Sequence, residues 1–299
     1  MNLFKSILAV CAGVLLLAVL FLLGIAFALN RTVCRPEFAL VEIDRADAVG
    51  AGRELVLQRM PARARPYAPA VGATYDELRP WIRGQVRAGT PLLYDYLFER
   101  TDRLVFTVSS EPVRRSLREH LLRQILEQPP ADFAQVPPAE LPRIAEEAAD
   151  KMIANLKIRP EYQFDSATTR LKWQEMLERA QTLVHRGRQA TRVLIGLGIV
   201  LAAAIVLLRG SLFGLSVVFI VSGVAGYAGY LMAVSDIRLP VAAAALPEGL
   251  RAYAPLFFRH VLDPLASFNL WVLACGAVLL IVSWLLHRGR AKPGADGAR

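Results

Sequence analysis

Hydrophobic and polar residues divide this chain into long uncharged runs at both ends and a charged stretch between them. Four runs carry no charged residue: Ile7–Leu29, Val193–Leu208, Leu212–Ser235 and Leu270–Leu286. About 20 apolar residues in a helix cross the hydrocarbon core of a bilayer. The first and third runs reach that length unaided, while flanking arginine and aromatic residues extend the other two into the interface. The pattern therefore predicts an all-α membrane protein with four transmembrane helices.

The stretch Ala167–Leu208 carries the clearest signal, because a helical pattern passes into an apolar run with no proline between them. Apolar residues recur at helical spacing in its polar half: Leu171, Trp173, Met176, Leu177, Ala180, Leu183 and Val184. One long helix, or two nearly coaxial ones, is expected to join an aqueous domain to the membrane. Gly187, which lies between two arginines, is its expected weak point.

Residues 30–190, between the first two spans, are expected to form a helical extracytoplasmic domain and stalk, with little strand. Glu37–Met60 has a helical pattern that Gly50 and Gly52 are expected to interrupt, and the proline-rich residues 61–69 predict a linker. Thr74 and Glu77 have the spacing of a capping box at a helix start.

Gly89 and Pro91 are expected to end that helix and begin the next. The run Leu104–Val108 alternates weakly, which is compatible with an extended conformation. Five residues cannot form a stable sheet alone, so a packed connector is predicted. Ser110 is the predicted N-cap of a helix over Glu111–Gln128.

The distribution of basic residues predicts how the chain crosses the membrane. Residues 1–29 are expected to be an uncleaved anchor, although Ala26–Ala28 resembles a signal-peptidase site. Lys5, the turn at Arg209 and the basic tail 288–299 would share one side, so both termini are predicted to be cytoplasmic. Residues 191–287 then form a three-helix membrane region, with an outer amphipathic helix over 246–265 kinked at Pro255.

Composition argues against several classes of function. The net charge is +9, but residues 30–190 hold 25 basic and 22 acidic residues, which is the balance of an ordinary solvated surface. No basic and aromatic motif is present, so no nucleic-acid partner is expected. The three cysteines offer no pair within the domain, and its fold must rely on its own core.

Motifs that carry chemistry are missing from the sequence. The four histidines have no metal-ligand spacing, and neither a nucleophile elbow nor a phosphate loop is found. Glu146, Glu147 and Asp150 have the composition of a cation site, but the neighbouring basic residues favour a solvated helix face. No catalytic residue, metal site or cofactor is predicted. The absence of charge from the spans also argues against a transporter.

Small residues recur in the third span at Ser222, Ala225, Gly226 and Gly229. Such spacing lets helix backbones approach closely. Two interpretations are open. The small residues either pack among the four spans of this chain, or they allow self-association or the binding of a partner helix.

The layout resembles a family of uncharacterised prokaryotic four-span membrane proteins with an extracytoplasmic helical domain. The likeness is carried by Arg35–Phe38, Tyr75–Ile82, Leu93–Leu97 and Leu104–Arg118. It implies the fold but no activity. The function expected is that of a non-enzymatic membrane protein whose outer domain binds a membrane or envelope partner, or senses the envelope. The alternative is an extracytoplasmic protein that binds a small molecule or lipid.

Overall fold

The computed structural model describes residues 2–129, 136–156, 158–166, 172–235 and 248–290. The elements in these ranges are α1 (Asn2–Arg31), α2 (Pro36–Arg45), α3 (Ala48–Gln58), a 3₁₀ segment (Ala62–Tyr67), α4 (Ala68–Leu97), β1 (Val105–Ser109), α5 (Glu111–Glu127), α6 (Leu141–Asn155), β2 (Glu161–Asp165), α7 (Lys172–Arg209), α8 (Phe213–Ser235) and α9 (Glu248–Arg290).

Four helices, α1, α7, α8 and α9, are long and apolar enough to cross a membrane. The prediction of a predominantly helical, multi-pass membrane protein is therefore confirmed. Two predicted features lie outside the described residues: the start of the stalk at 167–171 and the tail beyond 290. The same holds for the loop 236–247, which includes the predicted start of the outer helix.

The described chain divides into two compact units. The first, which we call the membrane unit, comprises α1, α8, α7 from Thr182 onward and α9 from Ala254 onward. Its core joins Leu16 and Leu20 of α1 to Ile205, Leu215 and Val272. The second unit contains α2 to α6, the strands and the first turns of α7 and α9.

The core of the second unit lies between α4, α5 and α6. Ala70 of α4 packs with Leu117 and Leu121 of α5 and with Ala149 and Ile153 of α6. Leu117 and Leu121 are four residues apart, as are Ala149 and Ile153, so each pair lies on one helix face. This burial fixes the helices that position the polar groups of the unit.

The predicted interruption at Gly50 and Gly52 is wrong, because the chain breaks earlier, at Asp47. Asp47 has φ 45° and forms the N-cap of α3, where its side chain accepts from the Gly50 amide. A Cβ at Gly50 would lie 2.3 Å from the Asp47 carboxylate. Gly50 therefore belongs to the capping arrangement within α3 and does not end a helix.

The predicted capping box is also wrong, because Thr74 lies inside α4 and its hydroxyl donates to the Ala70 carbonyl. The helix begins at Ala68, where Gln124 of α5 accepts from the Ala70 amide and replaces a local cap. Gly89 and Pro91 do not end the helix either, since α4 continues to Leu97.

The predicted connector is a strand with a distant partner. β1 pairs antiparallel with β2, with Val105 opposite Asp165 and Ser109 opposite Glu161. Ser110 precedes α5, as predicted, but its hydroxyl donates to the carbonyls of Arg159 and Pro160 and accepts no hydrogen bond from the first amides of the helix. Local pattern could not reveal a pairing across more than 50 residues.

Two long helices are continuous where the sequence allowed a break. α7 runs unbroken through Gly187, and α9 joins the predicted outer helix and the fourth span in one element through Pro255. The separate helix over 246–265 is therefore corrected to the first part of α9.

Candidate functional site

The polar half of α7 exposes an apolar face. Met176 and Leu183 are 72% and 69% exposed. They lie seven residues apart, on the same side of the helix, and Ala180 lies between them. Beside Gly187, one turn further on, nothing lies within 4 Å of an added Cβ. We call Met176, Ala180, Leu183 and Gly187 the α7 apolar face.

The opposite side of α7 makes polar contacts within the chain. The Gln181 side chain donates to the Tyr96 carbonyl at 3.4 Å. Gln189 and His185 are hydrogen-bonded at 2.8 Å along the same side of the helix. Gln181 is thus held by α4, whereas His185 and Gln189 are exposed and contact each other within α7. The α7 apolar face differs from this polar side in exposing large apolar side chains.

A buried carboxylate ties the start of α9 to α2. Glu42 is only 4% exposed, and its two oxygens accept from the Tyr253 hydroxyl at 2.5 Å and from Arg45 at 3.0 Å. A buried charge is tolerated when it is paired and hydrogen-bonded. The three groups, which we call the Glu42 clasp, thus have a structural role that sequence spacing did not indicate.

A row of arginines on α4 lies beside a groove of about 400 Å³. Arg79, Arg83 and Arg87 occur every four residues on one helix face, and they pair with Asp44 and Asp47. The hydrogen bond from Arg79 holds the pKa of Asp47 below its usual range. Asp76 also lines the groove and pairs with Arg53, so four guanidinium groups share three carboxylates and one positive charge is in excess.

Ser116, Glu77 and His120 form a second polar cluster, which spans α4 and α5. The Ser116 hydroxyl and the His120 Nε2 both contact the same Glu77 oxygen, at 2.7 and 2.8 Å. In a hydrolytic triad the histidine takes the proton of the nucleophile. Here the carboxylate takes the central position and the serine donates to it, which also lowers the Glu77 pKa. The cluster joins two helices and does not activate a nucleophile.

The acidic residues considered as a cation site are bound by arginine. Arg118 donates to Asp150 at 2.6 Å and to Glu146 at 2.8 Å, while Arg143 donates to Glu147 at 2.7 Å. Arg118 holds the Asp150 pKa below its usual range. Among the described residues, no group of three or more potential ligands could hold a metal.

The small residues of α8 fall on two sides. Ser222 is buried, and a Cβ at Gly226 would lie 2.3 Å from the Asn269 amide oxygen of α9. By contrast, Ala225 is exposed and Gly229 has open space beside it. Part of the motif therefore packs inside this chain, and part of it faces outward.

Comparisons with known proteins give no relative: no family model, no curated protein and no solved structure matches the chain.

Proposed function

We propose that this protein is a non-enzymatic integral membrane protein whose helical domain binds a protein partner through the α7 apolar face. The exposure of Met176 and Leu183 is the observation that carries the proposal. Large apolar side chains exposed together on a structured helix are typical of interaction surfaces.

The continuity of α7 supports the same conclusion. A partner held at residues 176–187 would sit on the helix that also crosses the membrane. Both termini are proposed to be cytoplasmic and the helical domain extracytoplasmic, since Lys5 and Arg209 would then lie inside. Such an arrangement suits a protein that engages, or reports on, an envelope component.

Site-specific photo-crosslinking in native membranes tests the proposal. A photo-reactive phenylalanine analogue at Leu183 should give a discrete protein adduct. The same analogue at Gln189, on the polar side of α7, is the matched control and should give none. The adduct at position 183 should disappear when Met176→Glu is added, because a charge in an apolar contact is costly. A lack of adduct at Leu183, or equal adducts at both positions, would refute the assignment.

A small-molecule-binding domain is the second candidate, and the arginine row favours it. Guanidinium groups recognise phosphate and carboxylate through paired N–H donors. Native mass spectrometry of the same preparation distinguishes the two functions. A co-purifying anion lost in Arg87→Gln, without any adduct at Leu183, would favour the second candidate.

A further inference from the structure

A shallow apolar groove of about 230 Å³ lies in the membrane unit, between α1, the end of α7 and the start of α8. Its walls include Val10 and Val14 of α1 and Val217 and Val221 of α8. These four valines are themselves exposed, so the groove opens to the side of the helices that the bilayer surrounds. A shallow groove of this size can take a section of one acyl chain.

Arg209 is the one charged residue among those lining the groove. Its side chain lies across Gly214, where a Cβ would come within 2.7 Å of the Arg209 Cδ. The absence of a side chain at Gly214 therefore lets the arginine pack back beside the groove. Across the described ranges, no carboxylate lies within ion-pair distance of Arg209.

The groove is close to the end of the membrane unit, where α7 stops at Arg209 and the chain turns through Gly210, which has φ 63°. Lys5 lies one helical turn before Ala9, which also lines the groove, so the two share a face of α1. The apolar groove therefore has two basic side chains, Arg209 and Lys5, at the end expected to lie near the lipid headgroups. Basic pockets between transmembrane helices typically bind anionic headgroups.

We propose that this groove binds an anionic phospholipid, with an acyl chain along the valines and the phosphate at Arg209 and Lys5. The apolar walls match the acyl chain, and the guanidinium of Arg209, which has no ion pair among the described residues, matches the phosphate. The proposal is independent of partner binding at α7 and concerns a separate ligand.

Native mass spectrometry of the full-length protein released from nanodiscs tests the proposal. The probes are phosphatidylglycerol and phosphatidylcholine with identical acyl chains. Phosphatidylglycerol, whose headgroup keeps a net negative charge, should be retained about 30-fold more strongly than zwitterionic phosphatidylcholine, as expected for two cations near the phosphate. Arg209→Gln should lower this preference to about fivefold, because Lys5 remains. Arg288→Gln is the matched control and should keep the wild-type preference, because Arg288 also ends a membrane helix but stacks on Trp284 at 4.0 Å.

A second pair of variants tests the groove itself. Val14→Phe should lower phosphatidylglycerol retention, because the larger ring fills the groove. Val278→Phe, at a similarly exposed position on α9, should leave retention unchanged. Equal retention of the two lipids by the wild type, equal effects of the two arginine variants, or equal effects of the two valine variants would each overturn the proposal. So would complete competition by glycerol 3-phosphate, which has the headgroup chemistry without an acyl chain.

Discussion

Removing one hydroxyl from the Glu42 clasp should loosen α2. Tyr253→Phe keeps the ring and deletes only the donor to Glu42. Glu42 is almost fully buried, so water cannot readily replace the lost hydrogen bond, while the ion pair with Arg45 remains. Hydrogen bonds to charged groups contribute about 1.5–3 kcal/mol, so we expect a loss of about 2 kcal/mol.

Hydrogen exchange, measured by mass spectrometry on the full-length protein in detergent, reports the loss of stability in α2 itself. If α2 exchanges through local opening, a loss of about 2 kcal/mol should speed exchange of its protected amides about 30-fold. Tyr230→Phe is the matched control, because its hydroxyl donates to Asp263 at an exposed site. That variant should leave exchange of the α2 amides unchanged, because it removes a donor to a different carboxylate.

An unchanged α2 in Tyr253→Phe would refute the reasoning, since it would mean that the buried carboxylate does not depend on this donor. Adding Glu42→Leu gives a further check. With the carboxylate gone, Tyr253→Phe should have little additional effect, because no buried acceptor remains unsatisfied. Additive effects of the two changes would show that the groups act independently.

Two further predictions concern packing and pH. Gly226→Ala should destabilise the membrane unit by about 1–3 kcal/mol, because the added methyl group would clash with the Asn269 amide. Gly229→Ala should cause no such loss, because the space beside Gly229 is open. Denaturant unfolding in detergent compares the two variants. The lowered Asp150 pKa implies stability that is present above the unfolded value, about 3.9, and is lost as the pH falls through the folded pKa. In Arg118→Gln, the free energy of unfolding should therefore fall less steeply below about pH 4 than in the wild type. An unchanged pH dependence would contradict the pairing of Arg118 with Asp150.

The transmembrane helices could be predicted because their signal is local and additive. Each span is a run of uncharged residues, and the bilayer requires its backbone hydrogen bonds to be satisfied within the segment. The helical pattern of Ala167–Leu208 predicted α7, observed from Lys172 to Arg209, for the same reason. No distant contact is needed to decide either case.

Helix boundaries in the second unit were predicted poorly because distant residues set them. α4 begins at Ala68 with help from Gln124, which is 54 residues away from the Ala70 amide it caps. β1 exists because β2 lies opposite it. Glu77 has capping-box spacing to Thr74, yet it bonds to Ser116 and His120.

The proposed partner surface and the proposed lipid site lie at opposite ends of α7. Leu183 and Arg209 are 26 residues apart in one helix, which corresponds to about 39 Å at 1.5 Å per residue. A side chain at one end cannot contact a ligand at the other. Variants at Leu183 should therefore leave phosphatidylglycerol retention unchanged, and Arg209→Gln should leave the Leu183 adduct intact. If either change affected both readouts, the helix would have to transmit it, and the two sites would be coupled through α7.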